Sequence, residues 1–559
     1  MSLSLSAEQK NILNIFKIDE QYIIPEYQRP YSWNYDQCFQ LYNDLMESFR
    51  SNDDYFIGNI IIAKSEKDKY ELDVVDGQQR LTTFLLIIKV LSIFTDDELY
   101  KKDFESILGG MNRKTRKYEY RIKTEVFESN DAEYLNKILS YEEKDFDELI
   151  NRCMKNGKLI DKECTNRFEK NIIYFYNWLK FYNNKKKSNL DDFIYFLLER
   201  VYLLPIELRG NTKEEANDKA LVIFETLNNR GKNLEDADIF KAKLYKRAKN
   251  IDEEKIFIDL WISFKNSCEN LKIEIDDVFR YYSHIIRGRK GITSSEINLR
   301  EFFTTKDYSP FNLKKYKEIM DDLNKIIDIL EFMKQETQQQ SELAKWLQLI
   351  DIYSNKYPKI ALIIYLFINY DDKNEKLNSS SGRRSQNERE MELNSFLESL
   401  VRYSYYHGST SKIKFEIYSM IHKICTSQPI DNYYQETTVD DFDSLGRLKY
   451  GYALLAFYSD RKESLDKFYI DKIVNLKDKD TLAWSEEELN EFVESLGNFI
   501  ILDMPKRNKP LIAKLKYYQD SKSKKLSRGV SHLLSLKYNY FEKRDQEQKE
   551  KLVKFFKGK

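Results

Sequence analysis

The sequence is poor in the features that mark secreted, zinc-binding and membrane-spanning proteins. Its five cysteines are scattered without a CxxC pair, which argues against a disulfide framework or a zinc site and favours a reducing cytoplasm. Its four histidines are too dispersed for a metal cluster. Met1 to Lys17 lacks the basic-then-apolar pattern of a signal peptide, and no run of about eighteen apolar residues occurs. We therefore expect a cytoplasmic protein without a membrane partner.

An excess of charge of one sign is also missing. The chain of 559 residues has 91 Lys and Arg against 92 Asp and Glu. A nucleic-acid partner would therefore have to meet a local basic patch, because the molecule as a whole has no strong field. The length is sufficient for two or three domains with sizeable cores.

What the sequence does contain is an abrupt change of period at Asp76-Gly77. Residues 55–63 are β-branched and aromatic, and residues 70–75 alternate with period two, which predicts two strands. From Leu81 onward the apolar residues follow a helical stripe. The segment between them is therefore a strand-to-helix turn. Free amides and a positive helix dipole favour an anion at such a turn.

The side chains at this turn suit a phosphate-bearing ligand. Gly77 allows the backbone to approach a ligand, and Arg80 offers a planar fork for phosphate oxygens. Asp76 could hold a hydrated magnesium ion, while Gln78 and Gln79 could orient a water molecule or a base. A second interpretation is that Asp76 only caps the helix and Arg80 pairs with a surface acid. Spacing alone favours neither.

Four blocks of the sequence resemble one known domain. Residues 24–33 (IPEYQRPYSW), 56–60 (FIGNI), 74–83 (VVDGQQRLTT) and 224–234 (FETLNNRGKNL) are similar to the N-terminal domain of GmrSD-type and SspE-type restriction factors. The resemblance covers roughly residues 10 to 245. It implies a ParB/sulfiredoxin-like fold that binds and hydrolyses a nucleoside triphosphate. It also implies a role in defence against foreign, often modified, DNA.

The residues and the resemblance together give one predicted nucleotide site. The fourth block has a second interpretation, because Asn and Gly in residues 228–231 suit a turn and the acids after Asn233 suit the first turn of a helix. The predicted catalytic residues are Asp76, Gln78, Gln79 and Arg80, with Asp76 also the candidate Mg²⁺ ligand. The predicted nucleotide-binding residues are Gln28, Arg29, Gly77, Arg80, Thr82, Asn228, Arg230 and Lys241.

Composition divides the chain into four parts. Residues 1–245 form the predicted nucleotide-binding domain with a helical insertion, and residues 246–370 show the apolar spacing of packed helices. Residues 371–390 are polar and almost free of apolar side chains, which predicts a flexible linker. Residues 391–559 form a last helical domain. The predicted fold class is α+β, predominantly helical, with a small mixed sheet at the N-terminus.

The last domain is similar to the His-Me finger nuclease domain of GmrSD-type proteins, with one departure. Asn498 and Asn508 stand where the resemblance places asparagines, but Lys472 stands where it places the catalytic histidine. A neutral imidazole accepts a proton from water near pH 7, whereas an exposed lysine is almost wholly protonated. We therefore predict a degenerate nuclease. His422 and His532 are candidate replacements, although neither lies in a comparable context.

A basic stripe near the C-terminus predicts a DNA-binding surface. Cations there would bind phosphates with strong salt dependence, and tyrosines can stack on bases. A solvated basic helix, or a contact with an acidic part of the protein or a subunit, would give the same pattern. The predicted DNA-binding residues are Lys506, Arg507, Lys509, Lys514, Lys516, Tyr517, Lys522, Lys524 and Lys525.

Three functional classes follow from these observations. We favour a defence factor that hydrolyses a nucleoside triphosphate, senses DNA and acts through a partner nuclease or effector subunit. The first alternative is an active NTP-dependent, modification-dependent endonuclease. The second is a nucleotide-gated DNA-binding protein without hydrolysis. The identity of the nucleotide, the DNA modification and the oligomeric state do not follow from the sequence.

Overall fold

A mixed β-sheet organises the N-terminal part of the protein. The computed structural model describes residues 5–67, 70–112, 116–127, 129–185, 190–228, 236–248, 251–371, 376–377, 386–408, 413–430, 433–462, 464–502, 509–520 and 531–558. The chain forms two units, Met1–Ile258 and Asp259–Lys559. In the described residues the first unit holds a seven-stranded sheet and the second is largely helical. The predicted fold class is confirmed.

The first unit alternates short strands with longer helices. Its strands are β1 (Leu5–Ala7), β2 (Lys10–Asn11), β3 (Gln21–Ile24), β4 (Tyr55–Ser65), β5 (Glu71–Asp76), β6 (Gly109–Met111), β7 (Tyr118–Tyr120), β8 (Ile122–Thr124), β9 (Met154–Lys155), β10 (Lys158–Leu159) and β11 (Val201–Gly210). Its helices are α1 (Ile12–Phe16), α2 (Tyr35–Ser51), α3 (Gln78–Phe94), α4 (Glu98–Leu108), α5 (Asp131–Leu139), α6 (Glu143–Cys153), α7 (Arg167–Lys185), α8 (Leu190–Glu199), α9 (Lys213–Asn228) and α10 (Asp236–Tyr245). The unit boundary falls within α11 (Ile251–Leu271).

The order of the strands brings two strand-to-helix turns to one edge of the sheet. The order is β1-β11-β4-β5-β3-β8, and β2 also pairs with β11. β3 runs parallel to β5, so both strands end at the same edge, where β3 leads to α2 and β5 leads to α3. β4 is antiparallel to β5 and places its first half beyond the end of β5. Ligands commonly bind at such an edge of an α/β sheet.

Alternation along β5 divides its side chains between two cores. Leu72 and Val74 join the large core built with α2, α3, α7 and α8. Val75 joins a smaller core with Ala220 of α9 and Ile239 of α10. Both faces of the sheet are therefore covered by helices, which is why β4 and β5 contain long apolar runs. α3 lies deep in the large core, and this fixes the direction in which its first turn points.

The second unit is a helical array with a small strand pair. Its elements are α12 (Ile275–Arg289), α13 (Leu299–Thr305), α14 (Pro310–Leu313), α15 (Tyr316–Thr337), α16 (Glu342–Asp351), α17 (Tyr357–Asn369), β12 (Tyr370–Asp371), β13 (Lys376–Leu377), α18 (Gln386–His407), α19 (Ile413–Cys425), α20 (Lys449–Tyr458), β14 (Tyr469–Lys472), α21 (Glu486–Glu494), β15 (Phe499–Leu502), α22 (Leu511–Asp520) and α23 (Tyr538–Lys557). β12 pairs with β13 and β14 with β15, both antiparallel. Residues 251–371 contain the helices that the apolar spacing predicts.

Helices from both sides of the predicted linker contact each other within the second unit. The Tyr353 hydroxyl donates to the Ser404 carbonyl (2.9 Å), and the Tyr405 hydroxyl donates to the Leu349 carbonyl (2.9 Å). Most of the predicted linker, residues 372–375 and 378–385, lies outside the described residues, and α18 begins at Gln386. Within the described part of the chain, no helix is both long enough and apolar enough to cross a membrane.

A buried histidine in α12 links the stability of this unit to pH. His284 is almost fully buried, and burial lowers its pKa from 6.5 to about 4 although Glu296, 3.6 Å from its Nε2, opposes the shift. Arg287 and Arg280 lower the pKa further, and the Tyr418 hydroxyl donates to Glu296. His284 is therefore neutral in the folded protein at pH 5 but charged when the chain unfolds.

We expect this histidine to cost stability as the pH falls below 6.5. The unfolded chain then binds a proton that the folded chain does not, so unfolding becomes easier until the pH reaches about 4. Between pH 7 and pH 5 the contribution is about 2 kcal/mol. Urea unfolding of the wild type and His284→Gln at both pH values measures it. The variant is expected to lose about 2 kcal/mol less than the wild type; equal losses would contradict the assignment.

Candidate functional site

The turn between β5 and α3 depends on a glycine. Gly77 is the N-cap of α3 and has φ +93°, a backbone conformation that favours glycine. A Cβ at this position would lie 2.4 Å from Cγ2 of Ile60 on β4. Since Gly77 has no side chain to bond the first amides of α3, they are left to a ligand or to water. The predicted strand-to-helix turn is present.

The guanidinium of Arg80 packs against a second glycine, Gly58. This guanidinium is 3.4 Å from Asp76 Oδ2, and the two side chains are 23% and 29% exposed. A Cβ on Gly58 of β4, where φ is +131°, would lie 2.5 Å from Arg80 Nη1. The pairing of β4 with β11 skips Ile57 beside Gly58, which marks a β-bulge. The bulged glycine therefore makes the space that the guanidinium occupies.

The carboxyl of Asp76 interacts with two cations. Burial raises the pKa of Asp76, while the Arg80 guanidinium, a hydrogen bond from the Gly77 amide and the charge of Arg29 oppose that rise. Among the described residues Arg29 makes no side-chain hydrogen bond or ion pair, and its side chain is partly exposed. The charges of two guanidinium groups thus act on one carboxylate. This local excess of positive charge favours a phosphate.

The two glutamines of the motif hold the loop that carries Arg29. Gln78 Nε2 donates to Gln28 Oε1 (3.0 Å) and to the Arg29 carbonyl (3.2 Å). Gln79 Oε1 accepts from the Ser32 amide (2.8 Å), and Gln79 Nε2 donates to the Pro30 carbonyl (3.1 Å). Both side chains are buried. The structure therefore brings Gln28 and Arg29 to the Asp76 turn, as the resemblance implies.

Of the remaining predicted nucleotide-binding residues that the structure describes, Lys241 contacts this centre. Lys241 of α10 is buried, donates to the Gln28 carbonyl (3.2 Å) and lies 5.5 Å from the centre of the Phe127 ring. Thr82 is buried in the first turns of α3. Asn228 is the last residue of α9, and Arg230 lies outside the described residues. Residues 229–234 of the fourth block lie outside the described residues, and α10, which follows them, brings Lys241 to Gln28.

The opposite edge of the sheet carries an open groove of about 2480 Å³. It lies at the starts of β3 and β5, away from Gly77, and its lining includes Glu20, Lys64, Glu71 and Arg121. Acids and bases are balanced there, as in the 2.8 Å pair of Lys64 and Glu20. The groove is large, but its two arginines are occupied, since Arg121 donates to backbone carbonyls and Arg209 pairs with Glu207. We therefore place the candidate site at Asp76–Arg80.

The predicted nuclease positions in the second unit lie on a strand pair next to a helix. Lys472 at the end of β14 has its ammonium 2.7 Å from Glu494. Asn498 is fully buried, and its side chain donates to the carbonyls of Val474 and Val493 (both 2.9 Å) and accepts from the Val474 amide (2.8 Å). These contacts hold the backbone before β15. Asn508 lies outside the described residues, as does the side chain of His532.

The predicted basic stripe needs one correction. Lys514 is 1% exposed, and its ammonium donates to the Lys472 carbonyl (3.0 Å), so it lies inside the second unit and not on a phosphate-binding surface. Burial lowers its pKa, although Asp471 opposes the shift. Lys509 and Lys516 are exposed, and Tyr517 packs partly buried against the neighbouring core. Outside the described residues lie Lys506, Arg507, Lys522, Lys524 and Lys525.

Comparison with known proteins supports the relationship that the motifs indicate. Residues 10–245 match the family model of the GmrSD restriction endonuclease N-terminal domain. This part of the chain is therefore similar to GmrSD-type restriction factors. Over 274 residues the chain is also 23% identical to an uncharacterized protein of Methanocaldococcus jannaschii, a match that covers 44% of this chain and 43% of that protein. The chain thus spans less than half the length of that curated relative.

Two residues near the site were not among the predicted site residues. Gly58 stands alone in a β-branched strand, which is a recognised signal of a bulge or of a close approach. Asn171 of α7 donates to the Tyr31 hydroxyl (3.0 Å) and to the Trp33 carbonyl (2.9 Å). It is one of four asparagines in a helix rich in aromatic residues, and no local pattern distinguishes it. The contact arises only in the folded chain.

Proposed function

We propose that this protein is a restriction-type defence factor that binds and hydrolyses a nucleoside triphosphate at the edge formed by Asp76–Arg80 and the loop of Gln28 and Arg29. One observation carries the proposal. The charges of two partly exposed guanidinium groups, Arg80 and Arg29, act on Asp76 at the uncapped N-terminus of α3, and Arg29 is unpaired within the described residues. Backbone amides, a helix dipole and arginine forks together form a phosphate site.

Each residue has a distinct role in this proposal. Arg29 and Arg80 bind phosphate oxygens and stabilise the charge that develops on them during hydrolysis. Gly77 allows the phosphates to reach the first amides of α3. Gln78 and Gln79 hold the loop of Gln28 and Arg29 in place through their hydrogen bonds. By fixing this loop, they position the nucleophile or the nucleotide base.

Asp76 fits a magnesium ion as a single protein ligand. Magnesium in nucleotide sites takes one or two carboxylates and completes its shell with water and phosphate oxygens. Asp76 offers one partly buried carboxylate, and no group of three His, Cys, Asp or Glu suited to a metal occurs in the part of the chain that the structure describes. A magnesium ion bound with the nucleotide would neutralise phosphate charge.

The second unit supplies the proposed link to DNA. Position 472 on its strand pair is a lysine, and the Lys472 ammonium is bound to Glu494, so this side chain does not serve as the base that accepts a proton from water. We propose that this unit binds DNA without cutting it, through exposed cations such as Lys509 and Lys516, and that a partner nuclease or effector completes the response. The match to a restriction family over residues 10–245 supports the defence role.

The proposal predicts phosphate release that DNA stimulates, without DNA cleavage. A thermal-shift screen of the four NTPs with magnesium identifies the nucleotide, and phosphate release with and without DNA measures turnover. We expect stabilisation of at least a few degrees by one or more NTPs, since binding to the folded state alone raises its stability. Binding without turnover would favour the nucleotide-gated alternative. Metal-dependent nicking that Lys472→Ala abolishes would favour the active endonuclease.

A further inference from the structure

We infer that Asn171 of α7 is a positioning residue for Arg29, although it does not contact Arg29 itself. The inference rests on the proposed function, because it concerns how the phosphate-binding loop is held. Asn171 is 1% exposed. Its side-chain amide donates to the Tyr31 hydroxyl (3.0 Å) and to the Trp33 carbonyl (2.9 Å). It therefore binds the loop at two points that follow Arg29 in the chain.

The contact to Tyr31 continues into the catalytic motif as a chain of hydrogen bonds. The Thr83 hydroxyl donates to the Gln79 carbonyl (2.7 Å), so its single hydrogen is used. The Tyr31 hydroxyl lies 2.8 Å from Thr83 Oγ1 and therefore donates to it, while it accepts from Asn171. All donors in this chain point the same way. Such a chain strengthens each of its bonds and leaves no buried polar atom unpaired along it.

The same loop is bound from α3 and α5 as well. Gln79 Oε1 accepts from the Ser32 amide (2.8 Å), and Asp131 accepts from the Tyr31 amide (2.6 Å). These two contacts hold the backbone of residues 31–33 from α3 and from α5. Asn171 adds a third contact from α7.

The consequence falls on Arg29 because its own side chain is unbound in the described residues. Without a partner for the guanidinium, the backbone of the loop decides where this group lies relative to Asp76. A shift of about 1 Å in a group that binds a reacting phosphate costs up to 100-fold in rate. Contacts to the Tyr31 hydroxyl and the Trp33 carbonyl, two and four residues beyond Arg29, therefore have a large effect on turnover.

The test compares two asparagines of α7 in the full chain. Asn171→Leu removes both contacts to the loop, whereas Asn177→Leu removes an amide that approaches only Met154 (3.8 Å), outside the loop. Tyr31→Phe is a milder second variant that breaks only the hydroxyl chain and keeps the ring. Two measurements are made on each: the KM and kcat for the triphosphate, and amide hydrogen exchange of residues 28–34.

We expect Asn171→Leu to lower kcat about tenfold with a smaller change in KM, and to speed exchange at the Tyr31 and Ser32 amides. Tyr31→Phe should shift both quantities in the same direction by less, and Asn177→Leu should shift neither. A merely structural role would lower the melting temperature of Asn171→Leu and leave its kcat unchanged, which would overturn the inference. Wild-type protein that neither binds nor hydrolyses any NTP would instead overturn the proposed function, and this inference with it.

Discussion

Replacing Arg80 with alanine is expected to lower NTP turnover by about 100- to 1000-fold, the usual loss when one preorganised charge is removed from a transition state. The guanidinium lies beside Asp76 at the N-terminus of α3, where a phosphate would develop its charge. The fold should survive, since a partly exposed ion pair contributes at most about 1 kcal/mol. Phosphate release under saturating NTP measures kcat, and thermal melting measures the fold.

The control for this variant is Arg209→Ala. Arg209 also donates to a carboxylate, Glu207 (2.7 Å), but it lies near the end of β11, away from the turn. Its loss should leave turnover unchanged. Equal turnover in Arg80→Ala and in the wild type would remove Arg80 from the site and would favour the simple surface-pair interpretation of residues 76–80.

Gly58→Ala is expected to lower turnover almost as much as Arg80→Ala, although it removes no polar group. The new methyl carbon would lie 2.5 Å from Arg80 Nη1, and the end of a flexible side chain is what moves most easily. Arg80 should therefore leave its place while the sheet keeps its form. A positive φ adds a strain of about 1 to 2 kcal/mol. The measurement is kcat in Gly58→Ala, Arg80→Ala and the double variant.

Two comparisons separate displacement of Arg80 from backbone strain. Gly157→Ala places alanine at φ +73° with no atom within 4 Å of the new carbon, so it carries the strain alone and should keep full turnover. In the double variant, Gly58→Ala should add no further loss once Arg80 is absent, because the two changes remove the same interaction. Additive losses would show that Gly58 acts independently of Arg80.

The turn at Gly77 could be predicted because local rules specify it. Alternation over residues 70–75 and a helical stripe from Leu81 predict β5 and α3, and one glycine between them predicts the turn. The use of Gln79 could not be predicted in this way. An amide offers two donors and an acceptor to whatever the fold brings close, and its partners lie in residues 30–33, far away in the chain.

The basic stripe shows a pattern that composition conceals. Leu511, Leu515 and Tyr518 are buried on one face of α22, and Lys514 falls on that same face at helical spacing. Counting cations over residues 506–528 groups it with the exposed lysines, whereas the helical period separates it from them. The strand β11 is a similar case, since its pairing with β4 joins residues about 145 positions apart and leaves no local signal.

That distant pairing has a consequence for biosynthesis. β4 is complete once residue 65 has been made, but β11, which covers one side of it, ends at Gly210. Throughout this interval on the ribosome, the backbone donors and acceptors along that margin of β4 are open to other chains. The nascent polypeptide therefore passes through a vulnerable stage of well over a hundred residues, in which it exposes an apolar ribbon rather than a finished sheet.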